Sequence, residues 1–131
     1  MDIFEAFATD SKAEIDGREL KLSKTAKLIV ARSGNDRHAE AIRKAVEAGK
    51  IDLNDSSAAS NEVAEEVMID IMAETILLGW EGLAYQGKSV DYSPEMARTM
   101  LRIKDFRTKV TQFASNFENY KLKGEAAQGN A

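Results

Sequence analysis

Apolar residues follow two rhythms along this chain. Between residues 13 and 32 they alternate with polar ones, first as Leu20 and Leu22 about Lys21, then as the β-branched run Leu28-Ile29-Val30-Ala31 between Lys27 and Arg32. That alternation predicts a small antiparallel sheet near the start of the chain. Asp16-Gly17 is a favoured type I′ hairpin pair, because glycine takes positive φ without strain; it is expected to fold residues 13–15 back onto 18–22. The apolar patch at residues 3–8 fits one helical turn or a packing arm.

Beyond residue 33 the rhythm becomes helical. Ser33-Gly34-Asn35-Asp36 is turn and N-cap chemistry, Ala39, Ile42, Ala45 and Val46 form a stripe, and Gly49 follows as a stop, which together predict a helix over 36–48. After a small, polar connection over 50–60, Ser60 or Asn61 is expected to cap the longest helix. Its apolar face runs through Val63, Val67, Met68, Ile71, Met72, Thr75, Ile76 and Leu78. Gly79 is expected to end that helix, with Trp80 folding back over its apolar face and Gln86-Gly87-Lys88 making a tight turn between two short extended pieces. Ser93 as cap and Pro94 at the first helical position open a third helix. A fourth, over 104–121, carries Phe106, Val110, Phe113, Ala114, Phe117 and Tyr120. The expected fold is α+β and predominantly helical, about four helices with a small N-terminal antiparallel β-sheet. One domain spans 1–123, with a flexible tail over 124–131.

Composition narrows the chemistry. With no cysteine among 131 residues, disulfides, thiolate zinc sites and cysteine nucleophiles are excluded. The segment over 1–10 is acidic and lacks a long apolar core, so it does not read as a secretory signal. No run approaches the length of a membrane span, and a cytoplasmic location is expected. The net charge of -4 conceals a strong polarity: residues 51–95 carry 1 basic and 10 acidic side chains, residues 96–131 carry 7 and 3. Opposite-sign segments either face one another or meet a partner, and they permit head-to-tail self-association. Basic residues that are outnumbered and not interleaved with aromatics argue against a nucleic-acid partner.

Glu62, Glu66, Asp70 and Glu74 stand four apart as one acidic stripe on the long helix. It reads as a solvated face, as a docking surface for a basic partner or for the chain's own basic segment, or, less simply, as a carboxylate metal site with His38. A metal site in a bundle would want Glu-x-x-His pairs, which are missing. Arg98 and Arg102 stand one turn apart and suit a carboxylate or phosphate, with Lys104, Arg107 and Lys109 beside them. His38 sits near a helix start, where surface or capping roles are usual, and no nucleophile or oxyanion motif accompanies it. Glycines 79, 82 and 87 match no phosphate-loop or dinucleotide spacing. Met68, Met72, Met96 and Met100 are adaptable side chains that serve equally in a core or on a promiscuous surface.

The run Ile76-Leu77-Leu78-Gly79-Trp80-Glu81-Gly82-Leu83, followed by Gln86-Gly87-Lys88-Ser89-Val90-Asp91-Tyr92-Ser93-Pro94-Glu95 and by Phe106 with Phe113-Ala114-Ser115-Asn116-Phe117, resembles the tail assembly chaperones of long-tailed bacteriophages. Ala31-Arg32-Ser33-Gly34-Asn35 and Glu14-Ile15-Asp16-Gly17 are similar to that family's strand-to-helix turn and hairpin. Glu19-Leu20 stands where the family pattern has an aromatic. The resemblance implies a protein without catalytic, metal or cofactor sites that binds the tape measure protein, keeps it soluble, promotes tail tube assembly around it in the host cytoplasm and leaves before the virion matures. It further implies a longer form, made by ribosomal frameshifting, that recruits the tube subunit. The alternatives are a small tail-completion protein retained in the virion or a carboxylate metal protein. Candidate partner contacts are Met96, Met100, Arg98, Arg102, Phe106, Phe113, Phe117, Glu66 and Asp70, with apolar grooves between the last two helices taking amphipathic segments. Trp80, Pro94, Gly34 and Asn35 are the structural candidates.

Overall fold

The structure, a computed structural model, describes residues 1–123, so the tail expected over 124–131 lies outside the described residues. Two short helices open the chain, α1 (Ile3–Phe7) and α2 (Ser11–Asp16), capped by Asp2 and Asp10. Strands β1 (Arg18–Lys21) and β2 (Lys27–Val30) follow, then α3 (Asp36–Glu47) and α4 (Ala58–Thr75). Strand β3 (Leu77–Glu81) returns to the sheet, and β4 (Ala84–Tyr85) and β5 (Lys88–Ser89) make a separate ribbon. Helices α5 (Pro94–Leu101) and α6 (Lys104–Ala114) precede a final 3-10 turn over Phe117–Tyr120.

This architecture corrects the expected fold class. Instead of about four helices with a sheet confined to the N-terminal part, the described residues hold six α-helices, and the three-stranded sheet takes its third strand from Leu77–Glu81. The sheet is antiparallel in the order β1-β2-β3, so β2 is central. Asp16-Gly17 is not a hairpin either: Gly17, at φ 93, caps the C-terminus of α2, and the actual turn spans residues 22–26, where Leu22 N–H donates to Ala26 O at 2.9 Å. Hairpin turns and helix C-caps both want a glycine in left-handed space, and the Asp10 cap decides for the helix. Residues 77–81 continue the apolar run of α4, so periodicity alone joined them to it; pairing of Leu28 with Trp80 and Ile29 with Gly79 overrides the local preference. The last helix stops at Ala114, and Asn116 caps the 3-10 turn by accepting from Glu118 N–H.

The core lies between one face of the sheet and helices α4, α5 and α6. Leu28, Val30, Leu77 and Trp80 from the sheet meet Ile69, Met72, Ala73 and Ile76 from α4, with Ala97, Met100 and Leu101 from α5 and Val110 and Ala114 from α6. Trp80 is a core residue on a strand. Its indole Nε1–H donates to Val90 O at 3.0 Å and its ring meets Tyr92 edge-on at 4.9 Å, while the Tyr92 hydroxyl donates to Leu77 O at 2.8 Å. Thus the excursion over 82–93 is fastened under the sheet. The opposite face carries a charge ladder in which Lys27 Nζ sits 2.6 Å from Glu19 and 3.6 Å from Glu81. No described helix is long and apolar enough to cross a membrane.

The ends of the domain are tied together. Asp10 N–H donates to Tyr120 O at 2.7 Å, Arg18 reaches Asn119 O and Lys121 O at 3.2 Å each, and Phe7 stacks on Phe117 at 5.3 Å. The Tyr120 hydroxyl, fully enclosed, donates to Val30 O at 2.9 Å, and burial raises its pKa. As for backbone constraints, Gly82 stands at φ +73 with the Thr25 carbonyl oxygen 2.0 Å from where a Cβ would be. Gly82→Ala is therefore expected to cost at least about 2 kcal/mol, from left-handed strain plus a backbone collision, read from the urea midpoint. Gln86, the one non-glycine residue at positive φ among those described, stands at φ 51 in the β4–β5 turn. Gln86→Gly should raise stability by about 0.5 kcal/mol in the same assay.

Candidate functional site

The segment leaving the central strand organises the surroundings of the site. Ala31 N–H donates to Ile76 O, Arg32 N–H to Glu14 O and Ser33 N–H to Ala114 O, all at 2.8–2.9 Å. Gly34 N–H donates to His38 Nδ1 at 2.9 Å, and Asn35 N–H to Arg32 O at 3.1 Å. Asn35 is itself buried. Its Oδ1 accepts from Arg37 N–H and His38 N–H, capping α3, while its Nδ2 donates to Arg32 O at 2.8 Å and Thr75 O at 3.3 Å. One side chain thereby joins the start of α3 to the end of α4. Gly34, at φ +82, supplies the left-handed turn that exposes its N–H to His38.

Beside this turn, residues of α4 and α6 line a groove of about 460 Å³. Its floor is Met68, Ile69, Met72 and Ile76 of α4, and its α6 wall is Arg107, Thr108, Thr111, Gln112 and Ser115. Glu65 pairs with Arg107 at 3.7 Å at one end, while Ser33 and His38 close the other, near Ser115. Glu65 to Ile76 is about three helical turns, roughly 16 Å at 1.5 Å per residue. His38 is only 9% exposed; with Nδ1 accepting from Gly34, the neutral ring carries its proton on Nε2. Burial lowers its pKa, which favours that neutral form.

The acidic stripe and basic cluster meet within the molecule. Arg98 reaches Asp70 at 3.8 Å, Arg102 reaches Glu66 at 3.3 Å, and Arg107 reaches Glu65, so α4 is laced to α5 and α6. Pairs this exposed contribute under about 1 kcal/mol each, and they fix orientation more than stability. Glu66, Asp70 and His38 are not brought together, and no metal-holding cluster of His, Asp or Glu occurs among the described residues.

The other candidates are placed as follows. Met100 lies in the core, and Met96, Phe106 and Phe113 pack against it. Phe113 also meets Tyr120 edge-on at 6.0 Å, and Phe117 stacks on Phe7. Pro94 is the first residue of α5, capped by Ser93. A groove opens between α4 and α6, and its methionines are Met68 and Met72. Sequence reading missed Thr108, Thr111, Gln112 and Ser115; their spacing along one face of α6 was the available signal.

A family model described as YdaY prophage protein matches residues 22–130, a span that includes strands β2 and β3, the Ala31–Asn35 turn and the whole groove but begins just after β1. No curated protein matches the chain, and no solved structure matches it.

Asn35→Asp keeps the acceptor that caps α3 but sets a carboxylate against the Arg32 and Thr75 carbonyls. We expect a loss of about 2–4 kcal/mol by chemical denaturation, with helical circular dichroism retained. His38 gives a pH signature. Its pKa is lowered on folding from the ordinary 6.5, so below that value the unfolded chain binds a proton the folded one resists. The stabilisation is complete above pH 6.5 and is lost as pH falls through the folded-state pKa. Melting temperature should drop as pH falls below 6.5, and His38→Asn should flatten that component.

Proposed function

The chain belongs to the YdaY prophage protein family, and from that premise we propose that it is a phage tail assembly chaperone. In this reading it works in the host cytoplasm and performs no catalysis. It holds an amphipathic helix of the tape measure protein in the α4–α6 groove, keeps that long client soluble while tube subunits assemble around it, and leaves before the virion matures. A longer frameshifted form would carry the contact to the tube subunit.

The observation that carries this reading is the groove itself, three turns long, apolar on its floor and bounded by two helices. Helical walls offer an incoming chain no free sheet edge, because their backbone groups are bonded within each helix. An extended segment would therefore lose backbone hydrogen bonds on entering, whereas an amphipathic helix brings its own and presents an apolar stripe. Flexible methionines, Met68 and Met72, let one floor fit several stripes along a client. The prophage family supports a phage setting, and the resemblance in residues 14–120 to tail assembly chaperones is the ground for taking the tape measure protein as the client.

Co-expression with the tape measure protein of the same prophage tests this. The tape measure should become soluble and co-purify with the chain. Thr111→Trp, at an exposed position on the groove wall, should cut recovery at least about fivefold, equivalent to roughly 1 kcal/mol, without lowering the melting temperature. A tape measure that stays insoluble and unassociated would overturn the proposal.

A further inference from the structure

Among the polar side chains that line the groove, His38 is the buried one, and it is only half satisfied. His38 is more than nine-tenths buried and its Nδ1 is committed to Gly34 N–H, while Nε2 makes no hydrogen bond among the described residues. Yet no fully covered side-chain nitrogen or oxygen lacks a partner. Nε2 is therefore not sealed in the core, and His38, with its Nε2 edge unpaired, is one of the residues that line the groove. A helix packed along Met68, Ile69, Met72 and Ile76 would cover that edge, leaving a desolvated N–H donor with nothing to donate to. Such a group carries the desolvation penalty of an unmade hydrogen bond unless the occupant brings an acceptor.

We propose that His38 is the polar anchor and specificity determinant of the groove: it selects helices whose apolar stripe is interrupted, at the end facing Ser33 and Ser115, by one acceptor side chain, Asp, Asn, Glu or Gln. This rests on the reading that the groove holds a client helix, and it adds what that helix must contain. Ser33 and Ser115 line the same end of the groove as His38, whereas the far end is occupied by the Glu65–Arg107 pair. A purely apolar stripe satisfies the floor and leaves His38 unpaired. The discrimination resembles that of any site built to hydrogen-bond its ligand, where an analogue lacking the polar group is rejected more strongly than one lacking a methylene.

The two ring nitrogens can be separated by substitution. In His38→Asn the amide oxygen stands about where Nδ1 stands, so the Gly34 contact is kept and the groove donor is lost. In His38→Gln the amide nitrogen reaches about as far as Nε2, so the donor is kept and the Gly34 contact is lost. The probes are labelled peptides of about 20 residues tiling the tape measure protein of the same prophage, titrated by fluorescence anisotropy, with the tightest binder carried forward. Expected is an approximately tenfold loss of affinity for His38→Asn at near-wild-type melting temperature. His38→Gln should lower the melting temperature yet bind within about threefold of wild type. Alanine substitution of one Asp, Asn, Glu or Gln in the peptide should cost a similar factor, and combined with His38→Asn should cost little more, the non-additivity of a direct contact. Wild-type affinity in His38→Asn, equal loss in both variants, or additive effects with every acceptor in the peptide would overturn the proposal while leaving the groove reading intact. Absence of binding by any tile would overturn both.

Discussion

Five successive backbone N–H groups leave the central strand, and each is satisfied by a different part of the fold. From Ala31 to Asn35 the acceptors are the end of α4, the last turn of α2, the end of α6, the His38 ring and the turn's own Arg32 carbonyl. A buried peptide group cannot be left unpaired without a cost comparable to a lost hydrogen bond, so these elements can take up few relative positions once β2 is in place. The sheet, the helical layer and the groove all inherit their alignment from this turn. Asn35 closes the arrangement from the side-chain direction, using both donors and its acceptor on three separate segments.

Local chemistry in the sequence located much of this and misjudged its reach. Caps gave the starts of α3 and α5, since Asn35 and Ser93 are recognisable from their neighbours alone. Gly17 misled because left-handed backbone serves a hairpin and a helix end equally well. Leu77–Glu81 misled because a buried strand following an apolar helix has no periodicity of its own; only its pairing with β2, some fifty residues earlier, identifies it. For the candidate site, charge polarity correctly raised the option that acidic and basic segments face one another. The groove stayed hidden because its walls come from separate segments, and which of several methionines and aromatics remain open depends on the sheet they pack against.

Charge and apolar surface are thus divided between two tasks. Asp70 and Glu66 of the acidic row, with Glu65 beside it, pair with Arg98, Arg102 and Arg107, which ties α5 and α6 to α4, and the hydroxyl-bearing residues of α6 line the same groove as Met68 and Met72. His38 is common to the turn and the groove, with Nδ1 holding the turn and the residue itself among those that line the groove. Whatever lies in the groove therefore contacts a residue on which the strand-to-helix turn also depends, a direct link between occupancy and the scaffold.

The pairing of Val30 with Leu77 has a further consequence, for the order in which the molecule comes into being. That contact closes a loop containing all of α3 and α4, and loop closure of this length slows folding relative to local contacts. During synthesis, β1 and β2 emerge early but β2 keeps an unpaired edge until residue 81 has left the ribosome, and its apolar face has no helical cover until α4 is complete. Only when α6 follows can Ser33 find the Ala114 carbonyl. For most of its synthesis, then, this chain is itself a nascent polypeptide with an exposed strand edge and an exposed apolar face, the condition that invites aggregation.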